Sequence, residues 1–295
     1  MRVAILDVGA NTLRLLVAAP DGPFVAPVHE EREQLGLGEE VERCGYISAE
    51  KSARAVAVAQ EQTRKARRLG CERIEILVTS PGRQSANGDD FADALARGTG
   101  VPVRILSAEQ EGALAWEGAV AALEDGPESV AVCDVGGGSA QIVVGTLSAG
   151  PVWVRSVDLG SLRLTTRLLA ASDPPSAGAV AEARAEAAEA FEPVVPPVAQ
   201  LALATGGTAR ALRRVVGTLD AVTLARAVEE LSGLKRAKLT KRYGFSPQRA
   251  ATLLGGAILF GEAQRRLGVP FAPAGGGVRE GSALALVRES AAAYA

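Results

Sequence analysis

Short apolar runs that end on an acid and a glycine recur along this chain. Residues 3–6 are apolar, stop at Asp7, turn at Gly9 and Asn11, and resume as Leu13, Leu15 and Val17 alternating with Thr12, Arg14 and Leu16. Period-two alternation around a tight turn predicts a strand, a turn and a second strand. Residues 130–133 run into Asp134-Val135-Gly136-Gly137-Gly138-Ser139 and then Ile142-Val143-Val144 in the same relation. The segments VAILDVGANTLRLLV and VAVCDVGGGSAQIVV align without a gap. Such a repeat predicts two related domains, each opening on the same hairpin, with a cleft between them.

Between the copies, Ser48 is placed to cap a long helix ending near Leu69, with Gly70 as its stop. Residues 74–78 and 101–106 then read as strands, and 89–97 and 108–124 as helices. The polar turn at 124–128 marks the boundary, giving an expected first domain of 1–126 and a second of 127–295, whose last helix is free to pack back on the first. In the second half, 152–157 and 201–204 read as strands and 177–191 as an Ala/Glu-rich helix closed by Pro193, Pro196 and Pro197. Ser246-Pro247 is a serine N-cap followed by proline at the first helical position. Strands alternating with helices throughout predict an α/β protein of two domains.

Composition narrows the chemistry. The chain of 295 residues has a single histidine, His29, so no site needing two imidazoles, such as a His-rich zinc cage or an HExxH helix, can be built from it. Any catalysis rests on carboxylates, hydroxyls, glycine-rich backbone and arginines. With 32 Lys+Arg against 34 Asp+Glu, no global basic field draws the chain to nucleic acid. Cys44, Cys71 and Cys133 are scattered and lack a CxxC, which argues against a disulfide framework and a structural zinc site. Asp7 and Arg14 interrupt the N-terminal apolar run before a signal sequence could form, and the apolar stretch at 250–261 is too short to span a bilayer. The expected location is the cytoplasm, with no membrane partner.

The glycine clusters carry the candidate chemistry. Gly136, Gly137, Gly138 and Ser139 follow an expected buried strand, and residues without Cβ let consecutive N–H groups point at one anion. The plain alternative is a hairpin needing positive φ. Two aspartates, Asp7 and Asp134, would face each other across a phosphate chain, an arrangement that calls for a bridging hard cation such as Mg²⁺; each could instead satisfy its own turn. Gly206-Gly207-Thr208 before a helix offers N–H groups and a hydroxyl at a positive helix end, or an ordinary turn with Thr208 as N-cap. The loop Gly275-Gly276-Gly277 reads as a close-approach segment or a hinge. Glu109 and Glu111 open a helix, where acids commonly just complement the dipole, and Arg83 is a planar fork suited to phosphate, although most loop arginines are solvated.

Taken in order, these motifs resemble the exopolyphosphatase and guanosine pentaphosphate phosphohydrolase (Ppx/GppA) family of the actin, sugar kinase and Hsp70 superfold. Asp7-Val8-Gly9-Ala10-Asn11-Thr12 with Arg14 is similar to its opening D-x-G-S-N-S-x-R. Thr79, Arg83 and Asn87 follow T-x-A-x-R-x-A-x-N, Glu111 its E-E-A glutamate, with Gly118 two turns on. Asp134 to Ser139 follows D-x-G-G-G-S; Leu159, Gly160, Arg163 and Leu164 follow L-G-x-x-R-L; Gly206-Gly207-Thr208 and Arg279-Glu280-Gly281 follow G-G-T and R-E-G. The resemblance implies a ribonuclease H-like two-domain α/β fold with its active site in the interdomain cleft. It implies a phosphoanhydride hydrolase acting on inorganic polyphosphate or guanosine pentaphosphate with Mg²⁺ or Mn²⁺, the latter substrate tying it to the stringent response. A homodimer stays open.

Residue by residue, the resemblance assigns Glu111 as the base, and Asp7, Asp134 and Glu111 to the metal. Asn11, Thr12, Arg14, Arg83, Gly136, Gly137, Gly138, Ser139, Gly206, Gly207 and Thr208 fall to phosphate. Three positions depart from the family pattern: Ala10 stands for serine, Ala251 for a common aspartate, and Gln141 for an acid. Gln141 can still orient a water through its amide, so a slower or differently metal-dependent enzyme is expected. The chain ends after the R-E-G helix, where longer relatives carry a further helical domain linked to long-chain binding, so short chains are the expected preference. Three readings follow: exopolyphosphatase, guanosine pentaphosphate phosphohydrolase, and a sensor that binds phosphates without turnover.

Overall fold

The computed structural model describes residues 1–123 and 126–293. Glu124 and Asp125, part of the expected boundary turn, lie outside the described residues. Two compact units emerge: Met1–Glu124 together with Gly275–Ala295, and Asp125–Ala274.

In the first unit the chain forms β1 (Val3–Val8), β2 (Thr12–Asp21), β3 (Phe24–Gln34), α1 (Leu37–Cys44), α2 (Ala49–Arg68), β4 (Arg73–Val78), α3 (Ser80–Gln84), α4 (Gly88–Thr99), β5 (Val103–Ile105) and α5 (Ala108–Val120). Its five-stranded sheet has the order β3-β2-β1-β4-β5. The hairpins β1–β2 and β2–β3 are antiparallel, whereas β1–β4 and β4–β5 are parallel. Central strands must be apolar on both faces, and β1 shows how this is done. Ala4, Leu6 and Val8 pack with residues of α1, α2 and α4, including Leu37, Ala55 and Phe91. Val3 and Ile5 pack on the opposite face with Leu106 and Ala115 of the β5–α5 region.

The expected helix capped by Ser48 is α2: the Ser48 hydroxyl accepts from Lys51 N–H at 3.3 Å. The charged stretch at 29–34 carried no strand signal, yet it belongs to β3. That strand lies at the sheet edge, where charges are tolerated, and Pro27 falls at the irregularity where the β2–β3 register slips between Val17 and Ala18.

The second unit runs β6 (Val130–Val135), β7 (Ala140–Thr146), β8 (Gly150–Val157), α6 (Ser161–Leu164) continuing into a π-helical turn at Thr165–Leu169, α7 (Ala177–Ala190), β9 (Leu201–Thr205), α8 (Gly206–Val216), α9 (Ala221–Ser232), α10 (Arg236–Tyr243), α11 (Pro247–Leu267) and β10 (Phe271–Pro273). Its sheet is β8-β7-β6-β9-β10, the same order and the same pattern of parallel and antiparallel neighbours as the first. Register makes the repeat concrete. Asp7 pairs with Arg14 as Asp134 pairs with Gln141, and each turn closes through one equivalent bond, Gly9 N–H to Thr12 O and Gly136 N–H to Ser139 O, both at 3.0 Å.

The last helix, α12 (Val278–Ala293), belongs to the first unit, where Ala283 and Leu286 complete the face holding Val3 and Ile5. The glycines that precede and open it are close-approach residues. A Cβ on Gly118 of α5 would lie 2.1 Å from Gly277 O, one on Gly281 2.0 Å from Leu114 O, and one on Gly276 2.7 Å from Gly118 O. Helices α5 and α12 therefore meet backbone to backbone. Gly118→Val should destabilise the fold by about 1–3 kcal/mol or more through overpacking, read as a lowered urea midpoint; an unchanged midpoint would mean that the helices separate freely.

Candidate active site

In open α/β sheets, ligand sites form beyond the carboxyl ends of the parallel strands. The register places the ends of β1, β4 and β5 side by side, with Val8 beside Val78 and Val78 beside Ile105. Asp7, the loop 9–12, Thr79, Arg83 and the start of α5 all follow from those ends.

Asp7 is the most constrained of these groups. Its Oδ1 is shut off from solvent and has no hydrogen-bond partner. Burial raises its pKa above the usual carboxylate value; Arg14 and Arg279 pull it back, and Glu280 pushes it up. Arg279 opens α12 and is itself largely buried, 3.0 Å from Glu30 and 3.4 Å from Glu280. The R-E-G motif thus supplies the charge environment of Asp7. Sequence reasoning noted the motif without assigning Arg279 or Glu280 a role; the only signal was its place in the ordered series.

Arg83 and Glu111 come together. The Arg83 guanidinium lies 2.7 Å from Glu111 Oε2 and donates to Leu106 O at 2.8 Å. Glu111 sits one residue beyond a capping box in which Ser107 accepts from Gln110 N–H and the Gln110 side chain accepts from Ser107 N–H. The box fixes the helix start and hence the carboxylate, which is 8% exposed. Glu111 is therefore more than an acid complementing a dipole.

The loop around Asn11 is held from behind: Leu35 N–H and Gly36 N–H donate to Asn11 O at 2.9 and 3.0 Å, and Gly38 N–H to Ala10 O at 2.7 Å. Thr12 Oγ1 accepts from Arg14 Nε at 3.1 Å, which leaves its proton for another acceptor. Asn87 takes no part here. Its amide clamps Ile47 through both backbone groups, at 2.9 and 2.8 Å, which holds α4 against the segment before α2.

In the second unit the glycine loop and the segment after β8 interlock. Ser161 N–H donates to Gly136 O at 2.9 Å, and Leu162 and Arg163 N–H to Gly137 O at 2.9 and 3.1 Å, so the N-terminus of α6 holds the loop carbonyls. A Cβ on Gly160 would lie 2.3 Å from Gly137 O, which explains why D-x-G-G-G-S and L-G-x-x-R-L occur together. Gly136 spends its N–H on the turn, so that N–H does not face an anion.

Asp134 lies against the start of α8: a Cβ on Gly206 would fall 2.5 Å from Asp134 Oδ1, and Gly206 has φ +83°. A carboxylate at a helix N-terminus is electrostatically favourable. The N-cap of α8 is Thr205, not Thr208. The Thr208 hydroxyl, expected to face phosphate, donates to Val135 O at 2.9 Å and accepts from Arg249 at 3.2 Å. It braces the loop, and only its backbone remains to face a ligand. Gln141 is 1% exposed and its amide donates to Ser139 Oγ at 2.9 Å and Ser156 Oγ at 3.2 Å. It therefore sets the hydroxyl of the loop serine, a more indirect task than orienting water.

Two α/β units with the same strand order, each carrying an Asp–Gly turn at the ligand edge of its sheet, define a protein of the actin, sugar kinase and Hsp70 superfold. The Ppx/GppA phosphatase family matches residues 16–289, and the chain belongs to that family. It is 30% identical over 292 residues to exopolyphosphatase 2 of Mycobacterium tuberculosis, covering 90% of this chain and 91% of that one. In structure it is similar to an exopolyphosphatase-like protein, with a TM-score of 0.89 at 23% identity, and to the Ppx/GppA family member of Aquifex aeolicus, with a TM-score of 0.82 at 23% identity; each superposition covers 98% of both chains. Among the described residues no helix is long and apolar enough to cross a membrane.

Proposed function

We propose that the chain is an exopolyphosphatase that transfers the terminal phosphoryl group of inorganic polyphosphate to water. The observation that carries this reading is the Arg83–Glu111 pair at the ligand edge of the first sheet, a fixed, buried carboxylate 2.7 Å from a guanidinium suited to phosphate oxygens. The family and the name of the relative in Mycobacterium tuberculosis support the choice of substrate.

Phosphoryl transfer to water is mostly positioning and charge neutralisation. In this reading Glu111 accepts a proton from the attacking water as its oxygen bonds to the terminal phosphorus, the bridging P–O bond breaks, and the shortened chain leaves with the electron pair. In the first unit Arg83 holds a phosphate oxygen and Thr12 donates its hydroxyl proton; the second unit offers the backbone of Gly137, Gly206 and Gly207 as further phosphate donors. Asp7 suits a hard cation, because its buried, partnerless Oδ1 is a carboxylate oxygen with unused capacity. No three acidic, His or Cys side chains form a metal cage among the described residues. Mg²⁺ or Mn²⁺ would thus be held by Asp7 or Asp134 with water and substrate oxygens, the pattern usual for Mg²⁺. Bound there, it would neutralise charge on the transferring phosphoryl group.

The test is phosphate release from triphosphate-length polyphosphate, long polyphosphate and guanosine pentaphosphate, each with and without Mg²⁺. Release from the polyphosphates that requires Mg²⁺ is the expected result. Release from guanosine pentaphosphate alone would reassign the substrate, and release from none would make this a binding protein.

A further inference from the structure

The surface that α8 and α10 present in the second unit is basic without a matching acidic complement. Between residues 231 and 261 there is no Asp or Glu, yet Lys235, Arg236, Lys238, Lys241, Arg242 and Arg249 all fall there. Helix α8 adds Arg210, Arg213 and Arg214, again with no acid. In a chain of net charge −2 this is segregation of charge, not a surplus of it. Arg210, Arg214, Lys235, Lys238, Lys241 and Arg242 are exposed. Among the described residues only Arg242 of these six has an ion pair, with Glu230 at 2.9 Å. Asp173 accepts from the backbone N–H of Arg236.

The surface is continuous with the candidate phosphate loops. At one end of α8, Gly206 packs on the Asp134 carboxylate and Arg249 donates to Thr208. At the other, Arg214 donates to Tyr243 O at 2.5 Å and so ties α8 to α10. Arg210 and Arg214, four residues apart, share a face of the helix between these ends. Eleven residues at 1.5 Å each span about 16 Å. The placement of charge in α10 also runs against the needs of the helix itself. Lys235 is its N-cap without a side-chain bond, and Arg236 and Lys238 occupy the first turn, where cations oppose the dipole.

The chemistry of the surface favours a polyanion read by charge alone. Tyr243 and Phe245 stack on each other at 5.5 Å, with Arg242 5.3 Å above the first ring and Arg214 5.2 Å above the second. Both rings are thus covered, which leaves no platform for nucleic-acid bases. Resting on the substrate class proposed above, we infer that the α8–α10 surface binds the distal phosphates of a long polyphosphate chain whose terminal groups lie at the loops of the second unit.

The experiment uses the full chain and the variant Lys235→Glu/Lys238→Glu/Lys241→Glu, with affinity for long-chain polyphosphate measured by fluorescence anisotropy over a salt series. The variant should bind at least about tenfold more weakly, and its plot of log K against log salt should flatten by about 2, since each lost cation removes about 0.7 from the slope for a single-stranded polyanion. Its thermal midpoint should stay about level, because acids at 235 and 238 suit the N-terminal end of α10 while the acid at 241, in the last turn, opposes the dipole there. Unchanged affinity and slope overturn the inference. So does equally tight, equally variant-sensitive binding of an RNA of the same length. Phosphate release by the same preparations separates the two readings. Release with long-chain binding indifferent to the charge reversal sinks this surface alone. Variant-sensitive polyphosphate binding without any release sinks the hydrolase and keeps the surface.

Discussion

Glu111→Gln will leave the protein folded and lower phosphate release by about 10²- to 10⁴-fold, the usual worth of a general base. The substitution keeps the shape of the side chain. The capping box that fixes the start of α5 involves Ser107 and Gln110, so it is untouched. An amide oxygen can still accept from Arg83, which is also anchored on Leu106 O. What is lost is the capacity to take a proton. The deficit should therefore appear in kcat, measured by phosphate release under saturating polyphosphate, with KM and the thermal midpoint little changed. Near-full turnover would place the base elsewhere; a collapse of the midpoint would show that Glu111 serves the fold.

The gap-free repeat was legible because a strand buried on both faces can be little but apolar, and because its turn needs glycine. Those two demands leave marks at fixed offsets, and the register of Asp7 with Arg14 and of Asp134 with Gln141 reproduces them. Edge strand β3 was not legible: its place at the sheet edge removes the demand for apolar residues, and its charges leave no apolar alternation to follow. The candidate phosphate loops were visible as glycines, but their wiring was not. Nothing in the residue types shows that Gly136 spends its N–H within the turn, that Thr208 points back at Val135 O, or that Asn87 clamps Ile47. The last two are long-range bonds, with partners 40 or more residues away. The pairing of Arg83 with Glu111, and of Arg279 with the surroundings of Asp7, likewise depends on which strand ends the topology makes neighbours.

Asp7→Asn should separate stability from function most sharply. The buried Oδ1 makes no hydrogen bond, and burial, only partly offset by Arg14 and Arg279, raises the pKa of the group. A raised carboxylate pKa means that ionisation is harder in the folded protein than in the unfolded chain. The group therefore weakens the fold at pH values above the unfolded carboxylate pKa. The penalty is absent below the unfolded carboxylate pKa, grows as pH rises from there, and is complete once pH has passed the folded one. In buffer stripped of divalent ions, Asp7→Asn should thus raise the thermal midpoint, by about 2–4 °C for each kcal/mol regained. The gain should shrink on acidification, as both proteins come to carry a neutral group. Phosphate release should nevertheless fall by at least about 10²-fold, because the variant lacks the anionic oxygen proposed to hold the cation. Adding Mg²⁺ should then stabilise the unsubstituted protein and not the variant, since only a state that binds the ion is favoured by it. A variant both less stable in metal-free buffer and fully active would show that Asp7 is a structural carboxylate of the turn, and would return the metal to Asp134 alone.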